Sequence, residues 1–233
     1  MLARSTRLRL VLIAALCCIA VGVAFFVGSR HREPPDTGAP SAGSGQTELQ
    51  NLDEEMLIGE SVVPPLEGTT WGSMVAIPRG PQPSVSPAAC VLFLSQGPAG
   101  EKGLAMRSSK NASIGVTLSV DGPRPDLPAL REECGVFTYA GPGVNSRVEL
   151  EPMPVADLPD GAISTLMHCR TVKADQTLVW DIALIVGYHR GVLVTAQYSP
   201  GPQGGAFDSQ LAASLGEIYR AQVEKLDDEI GAA

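Results

Sequence analysis

Aromatic side chains are scarce in this 233-residue chain, at 5% of the total against 44% hydrophobic residues. A folded core must therefore be built mostly from aliphatic side chains. Basic residues are outnumbered, with 17 Lys and Arg against 25 Asp and Glu, a formal charge of −8 and an isoelectric point near 4.9. That balance excludes the basic footprint of a nucleic-acid binder. Histidine occurs three times, as His31, His168 and His189, never at ligand spacing on one element, and Cys90, Cys134 and Cys169 are far apart, so no metal motif is present. Gly97-Pro98-Ala99-Gly100 and Gly141-Pro142-Gly143 lack the Lys and Ser/Thr of a phosphate loop and read as turns. No cofactor is expected.

Acidic residues are missing altogether from residues 1–32, which hold Arg4, Arg7, Arg9, Arg30 and Arg32. Residues 33–233 then keep 12 basic and 25 acidic side chains, a formal −13. Between the arginine groups, the nineteen residues Leu10–Gly28 carry no charge. As a helix they would span roughly 28 Å, about one hydrocarbon core. A helix satisfies its own backbone hydrogen bonds in lipid, so this segment can cross. Three arginines before it and two after it give a slight positive-inside bias. The rival reading is a cleaved signal peptide, with Gly22-Val23-Ala24 as the cleavage site. The apolar run continues through Phe25, Phe26 and Val27, which favours an uncleaved single-span anchor. A lipoprotein signal fits less well, because Leu16 stands before Cys17 where a small residue is usual. The expected organisation is a cytoplasmic N-terminus (1–9), an anchor (10–28), a Pro/Gly/Ser-rich stalk (29–46) and an extracytoplasmic domain (47–233). The localisation implied is the cell membrane, with the C-terminal domain outside the cytoplasm. As a coil the stalk would hold the domain on the order of 20–25 Å from the membrane.

Periodicity within 47–233 predicts an α+β domain. Leu49, Leu52 and Met56 predict a short helix over Thr47–Ile58, capped by Thr47 and ended by Gly59. Thr69–Ile77 alternates like a strand. Ser86-Pro87 can start a short helix through Leu94, although Val91–Leu94 also fits a buried strand. Strands follow at Leu104/Met106 and at Ile114, Val116, Leu118 and Val120. Asp126 caps a helix expected to run to Phe137. Four further strands, around Val148/Leu150, Ala162–Val172, Thr177–Tyr188 and Val192–Tyr198, read as an antiparallel meander. A long amphipathic helix from Phe207 to about Glu229 closes the chain, started by Asp208 or Ser209, with its apolar stripe laid on the sheet. The expectation is an antiparallel sheet covered on one face by helices, with its main core under Trp180, Tyr188, Tyr198, Phe207 and Tyr219.

Chemistry is sparse. Cys17 and Cys18 sit in the apolar segment, whereas Cys90, Cys134 and Cys169 fall in the exported part, where disulfides persist. Three single pairings are open. Cys90–Cys134 is preferred because both cysteines border apolar surfaces that should meet, which leaves Cys169 as a thiol beside Met167. A Cys–His hydrolase would use Cys169, His189 and Asp181. Against it, Cys169 faces inward, Asp181 points away from the large apolar face of its strand, and His168 is on the outer face of its own. The acidic runs Asp53-Glu54-Glu55 and Asp227-Asp228-Glu229 read as solvated helix faces, and Trp71 as core or as a ligand platform. Asn111-Ala112-Ser113 matches a glycosylation sequon, a pattern common by chance.

The Ala89-Cys90-Val91-Leu92 segment, the Glu133-Cys134 helix, the Leu158-Pro159-Asp160-Gly161-Ala162 turn and the closing strand–strand–long-helix unit carry a resemblance. Over about residues 47–230 the chain resembles exported, membrane-anchored mycobacterial proteins similar to the extracellular sensor domain of PknH-type serine/threonine kinases. The resemblance implies an α+β domain with disulfide support and a cleft for a ligand. Two departures stand out: no kinase domain precedes the span, and three cysteines replace the even, bridged set of the kinase sensors. Signalling through a cytoplasmic kinase is therefore not expected of this chain. The functional expectation is a non-enzymatic anchored domain that binds an unknown ligand or envelope partner. The alternatives are a structural subunit of an envelope complex and a thiol- or histidine-dependent hydrolase.

Overall fold

The computed structural model of the chain describes residues 51–63, 71–75, 83–94, 102–108, 112–120, 123–141, 144–173, 176–200 and 207–231. The expected anchor (10–28) and stalk (29–46) lie outside these residues. Among the described residues no helix is long and apolar enough to cross a membrane.

Nine strands make one antiparallel sheet: β1 (Trp71–Val75), β2 (Ser84–Ser86), β3 (Lys102–Ser108), β4 (Ala112–Ser119), β5 (Val136–Gly141), β6 (Val144–Pro152), β7 (Ile163–Lys173), β8 (Gln176–His189) and β9 (Val192–Pro200). Their order is β1-β3-β4-β9-β8-β7-β6-β5-β2. The meander read from the sequence is present and longer than expected, since β5 to β9 follow one another in space as in sequence. Seven continuous strands from β3 to β5 form its body, and the short strands β1 and β2 close the edges. The helices are α1 (Leu127–Glu133) and α2 (Ser209–Gly231), with 3-10 turns η1 (Glu54–Met56), η2 (Glu60–Val62) and η3 (Ala88–Leu94).

Side chains alternate across the sheet, so the register assigns each residue to a face. One face carries Ala112, Ile114, Val116 and Leu118 of β4, Val192, Val194, Ala196 and Tyr198 of β9, and Ala183 and Ile185 of β8. Leu211, Leu215, Ile218, Tyr219 and Leu226 of α2 are buried against it. The other face carries Phe137, Val148, Ile163, Met167, Cys169, Leu184 and Val186, and is covered by Leu127 and Leu130 of α1 and by Cys90 and Phe93 of η3. Helices therefore cover both faces, which corrects the one-sided packing expected from the sequence. The reason is visible in β8, where Ala183 to Gly187 are all buried. The large apolar side chains alternate onto one face of this strand, yet the opposite face is buried as well, and at Gly187 the lack of a side chain leaves room for Tyr219 of α2.

Other boundaries also differ. The helix expected over Thr47–Ile58 is replaced by η1 and η2, with Asp53 as the cap of η1 and residues 47–50 outside the described range. The α1 helix ends at Glu133, with Cys134 as its C-cap, and Phe137 belongs to β5. Leu127, Leu130, Cys134 and Phe137 do line one apolar cluster, so helical spacing matched a helix-plus-strand arrangement. Asp208 caps α2 through Oδ1, which accepts from the backbone N–H of Gln210 (2.8 Å) and of Leu211 (3.2 Å).

A strap from Leu52 to Val63 lies on α2. Ile58 and Val63 are buried there, and Gln222, itself fully buried, holds the strap by its backbone. Gln222 Nε2 donates to the Met56 carbonyl (2.7 Å), and Oε1 accepts from the Ile58 N–H (3.1 Å).

Candidate functional site

The three members of the imagined hydrolase are held apart. Cys169 is buried on the face covered by α1 and η3, and it is not part of the disulfide. Asp181 lies on the opposite face, because its direct partner across β7–β8 is His168 and that of Cys169 is Trp180. His189 sits at the β8–β9 turn, where Nε2 is 2.9 Å from Oδ1 of Asp227 on α2. The same Asp227 oxygen is 2.7 Å from Nε of Arg190. Arg190 has φ of 47° and Gly191 of 83°, so the two residues make a left-handed hairpin turn, which glycine takes without strain and arginine does not. The Asp227 carboxylate lies against the charge of Arg190 as an ion pair. Burial works to raise the Asp227 carboxyl, but the His189 hydrogen bond and the Arg190 charge outweigh it and hold Asp227 below its usual value.

Cys90 and Cys134 form a disulfide with Cα atoms 5.6 Å apart, both cysteines fully buried. It ties η3 to the end of α1, the two elements that cover β5 to β8 on one side. The acidic runs are partly engaged within the fold and not simply solvated helix faces. Asp53 caps η1, Asp227 takes part in the turn just described, and Glu229 pairs with Lys225 one helical turn away. Among the described residues no group of three His, Cys, Asp or Glu side chains is arranged to hold a metal ion. His31, Asn111 and the Gly97–Gly100 segment lie outside the described residues, and the side chain of Trp71 is likewise not described; its backbone is in edge strand β1.

A cluster that the sequence reading did not assemble lies on the α2 side of the sheet, beyond the edge of the helix. His168 Nδ1 is 2.8 Å from Asp181 Oδ1, and Nε2 is 3.1 Å from Glu151 Oε2. Three strands meet here: Glu151 on β6, His168 on β7 and Asp181 on β8. The Asp181 hydrogen bond, and then that of Glu151, raise the His168 imidazole above its ordinary value. The register that pairs Lys173 with Gln176 also sets His168 opposite Asp181.

Around the cluster the sheet is open. The helix α2 covers β4, β9 and the inner part of β8, while the same face of β5, β6, β7 and the outer part of β8 meets solvent. Val136, Val172 and Val179 are exposed there, Val179 to 72%. Thr138, Arg147, Glu149 and Arg170 are exposed on the same face, and Arg147 Nε is 3.0 Å from Glu149 Oε1. Cross-strand hydroxyl pairs mark the other face at the β4–β9 end, Ser113 with Ser199 (2.8 Å) and Thr117 with Thr195.

No protein-family model and no curated protein matches the sequence. Among solved structures, the chain is similar to an uncharacterised protein of Mycobacterium smegmatis, an Rv0999 ortholog known from X-ray diffraction. The identity is 16%, the TM-score 0.37, and the match covers 66% of this chain and 86% of that one.

Proposed function

We propose that the chain is a membrane-anchored, non-enzymatic extracytoplasmic domain that uses the open strip of β5 to β8 to hold an envelope protein. One observation carries this reading: a sheet face of four strands, with Val136, Val172 and Val179 exposed among paired charges, is left uncovered by the closing helix. Small-molecule sites are concave and enclosed, whereas this strip is broad and open, which favours a macromolecular partner over a small ligand. The fitting partner surface is mixed, with apolar side chains to meet the three valines and charges to meet Arg147, Glu149 and Arg170. The separate engagements of Cys169, Asp181 and His189 support the non-enzymatic part of the reading. The nineteen uncharged residues of Leu10–Gly28 support the anchor.

The test is crosslinking of the full chain in intact envelopes. Val179→Asp and Val136→Asp should abolish a crosslinked partner while leaving the circular dichroism spectrum unchanged. Glu217→Lys, on the exposed side of α2, should leave the partner in place. Equal recovery with all three variants would refute docking through this strip.

A further inference from the structure

Two carboxylates grip one imidazole at the centre of the open strip. A carboxylate only accepts hydrogen bonds, so meeting both contacts of His168 requires an N–H on each ring nitrogen, and only the imidazolium has two. A neutral ring would keep one link and turn the lone pair of its other nitrogen toward a carboxylate oxygen. The charged groups facing His168 are Arg147, Glu149 and Glu151 on β6, Arg170 on its own strand β7 and Asp181 on β8, while β5 presents the uncharged Val136, Thr138 and Ala140. With His168 charged, this face carries three cations and three anions. Without that proton the balance becomes net negative.

We propose that the Glu151–His168–Asp181 bridge is a proton-operated tie: it spans β6, β7 and β8 across the open sheet face while His168 is charged, and it loses one of its two links when the proton leaves. The tie is built from opposing side chains on neighbouring strands, so opening it loosens the cross-strand contact and changes the charge of the face in a single step. The sign follows from the direction of the shift. The folded value of His168 lies above the ordinary 6.5, so the contribution is fully present below that pH and is lost as pH rises through the folded value. The tie rests on the geometry of the bridge and not on a docking partner, so either idea can fail without the other.

The experiment is a histidine-selective NMR titration of the full chain in detergent micelles, where three histidines contribute and His168→Gln assigns the signal. His168 should titrate at higher pH than an unperturbed histidine. Asp181→Asn and Glu151→Gln should each lower its midpoint, Asp181→Asn by more. In parallel melts, wild type should exceed His168→Gln in thermal midpoint near pH 6, and the difference should shrink by about pH 9. A His168 midpoint at or below the ordinary value, or one unmoved by both carboxylate variants, overturns the tie. If His168→Gln does not fold, the carboxylate variants still give the decisive reading, because they leave the histidine in place.

Discussion

At Gly187 the absence of a side chain decides how close the closing helix can come. A Cβ there would overlap Tyr219 Oη and lie 2.8 Å from Ala162 Cβ. Gly187→Ala should therefore cost about 1–3 kcal/mol, the usual range for overpacking a filled core. Tyr219→Phe in the same chain should recover part of that loss, which urea denaturation of the two single variants and the double variant would show as a coupling energy. Tyr219 is itself buried, which pushes its hydroxyl well above the ordinary value and keeps it neutral throughout the accessible range. Asp227 gives a pH signature of the opposite kind to His168. Its folded value is depressed below 3.8, so its stabilisation is present above that value and is lost as pH falls through the folded one. Asp227→Asn should cost about 0.5–1 kcal/mol near neutral pH, kept small by solvent screening of a carboxylate that is 42% exposed. The difference from wild type should vanish in acid, which denaturation at a series of pH values would record.

Among the elements, the strap and the disulfide-linked pair each depend on one long-range link. Gln222→Leu leaves the Met56 carbonyl and the Ile58 N–H without the partners they have in the wild type. The expected cost is about 2 kcal/mol, with faster hydrogen exchange concentrated in 52–63. Cys90→Ser with Cys134→Ser opens a closure of 44 residues and should cost about 3–4 kcal/mol on the loop-entropy model. Exchange should then rise in η3 and α1 before it rises in α2. Much of this layer was legible in the sequence. Period-2 runs located β4 and β6 to β9, Asp126 and Asp208 marked two helix starts, and the apolar stripe gave α2. Phe137 misled because helical and strand spacing coincide at that point, and only Gly135 hinted at the break. The burial of both faces of β8 was hidden because its large apolar side chains alternate onto one face. The His168 cluster depends on register, and Glu151 reaches it diagonally from a third strand, which no local pattern encodes.

For the whole molecule, the sheet is asymmetrically dressed. Among the described residues, one face is covered by α2 over β4, β9 and the inner part of β8 and left bare at β5 to β7 and the outer part of β8. The other is closed by α1 and η3 over β5 to β8. The basic, acid-free N-terminal segment and the acidic remainder give the chain two unlike ends, and the proposed docking concerns only the bare strip of the folded part. Photocrosslinking in intact envelopes tests this most directly, with a photoreactive residue placed at Val179, at Val136 or, as a control, at Glu217 of the full-length chain. The account predicts one shared crosslinked product from the two strip positions and none from Glu217. The same product from all three positions, or product from Glu217 alone, would contradict it.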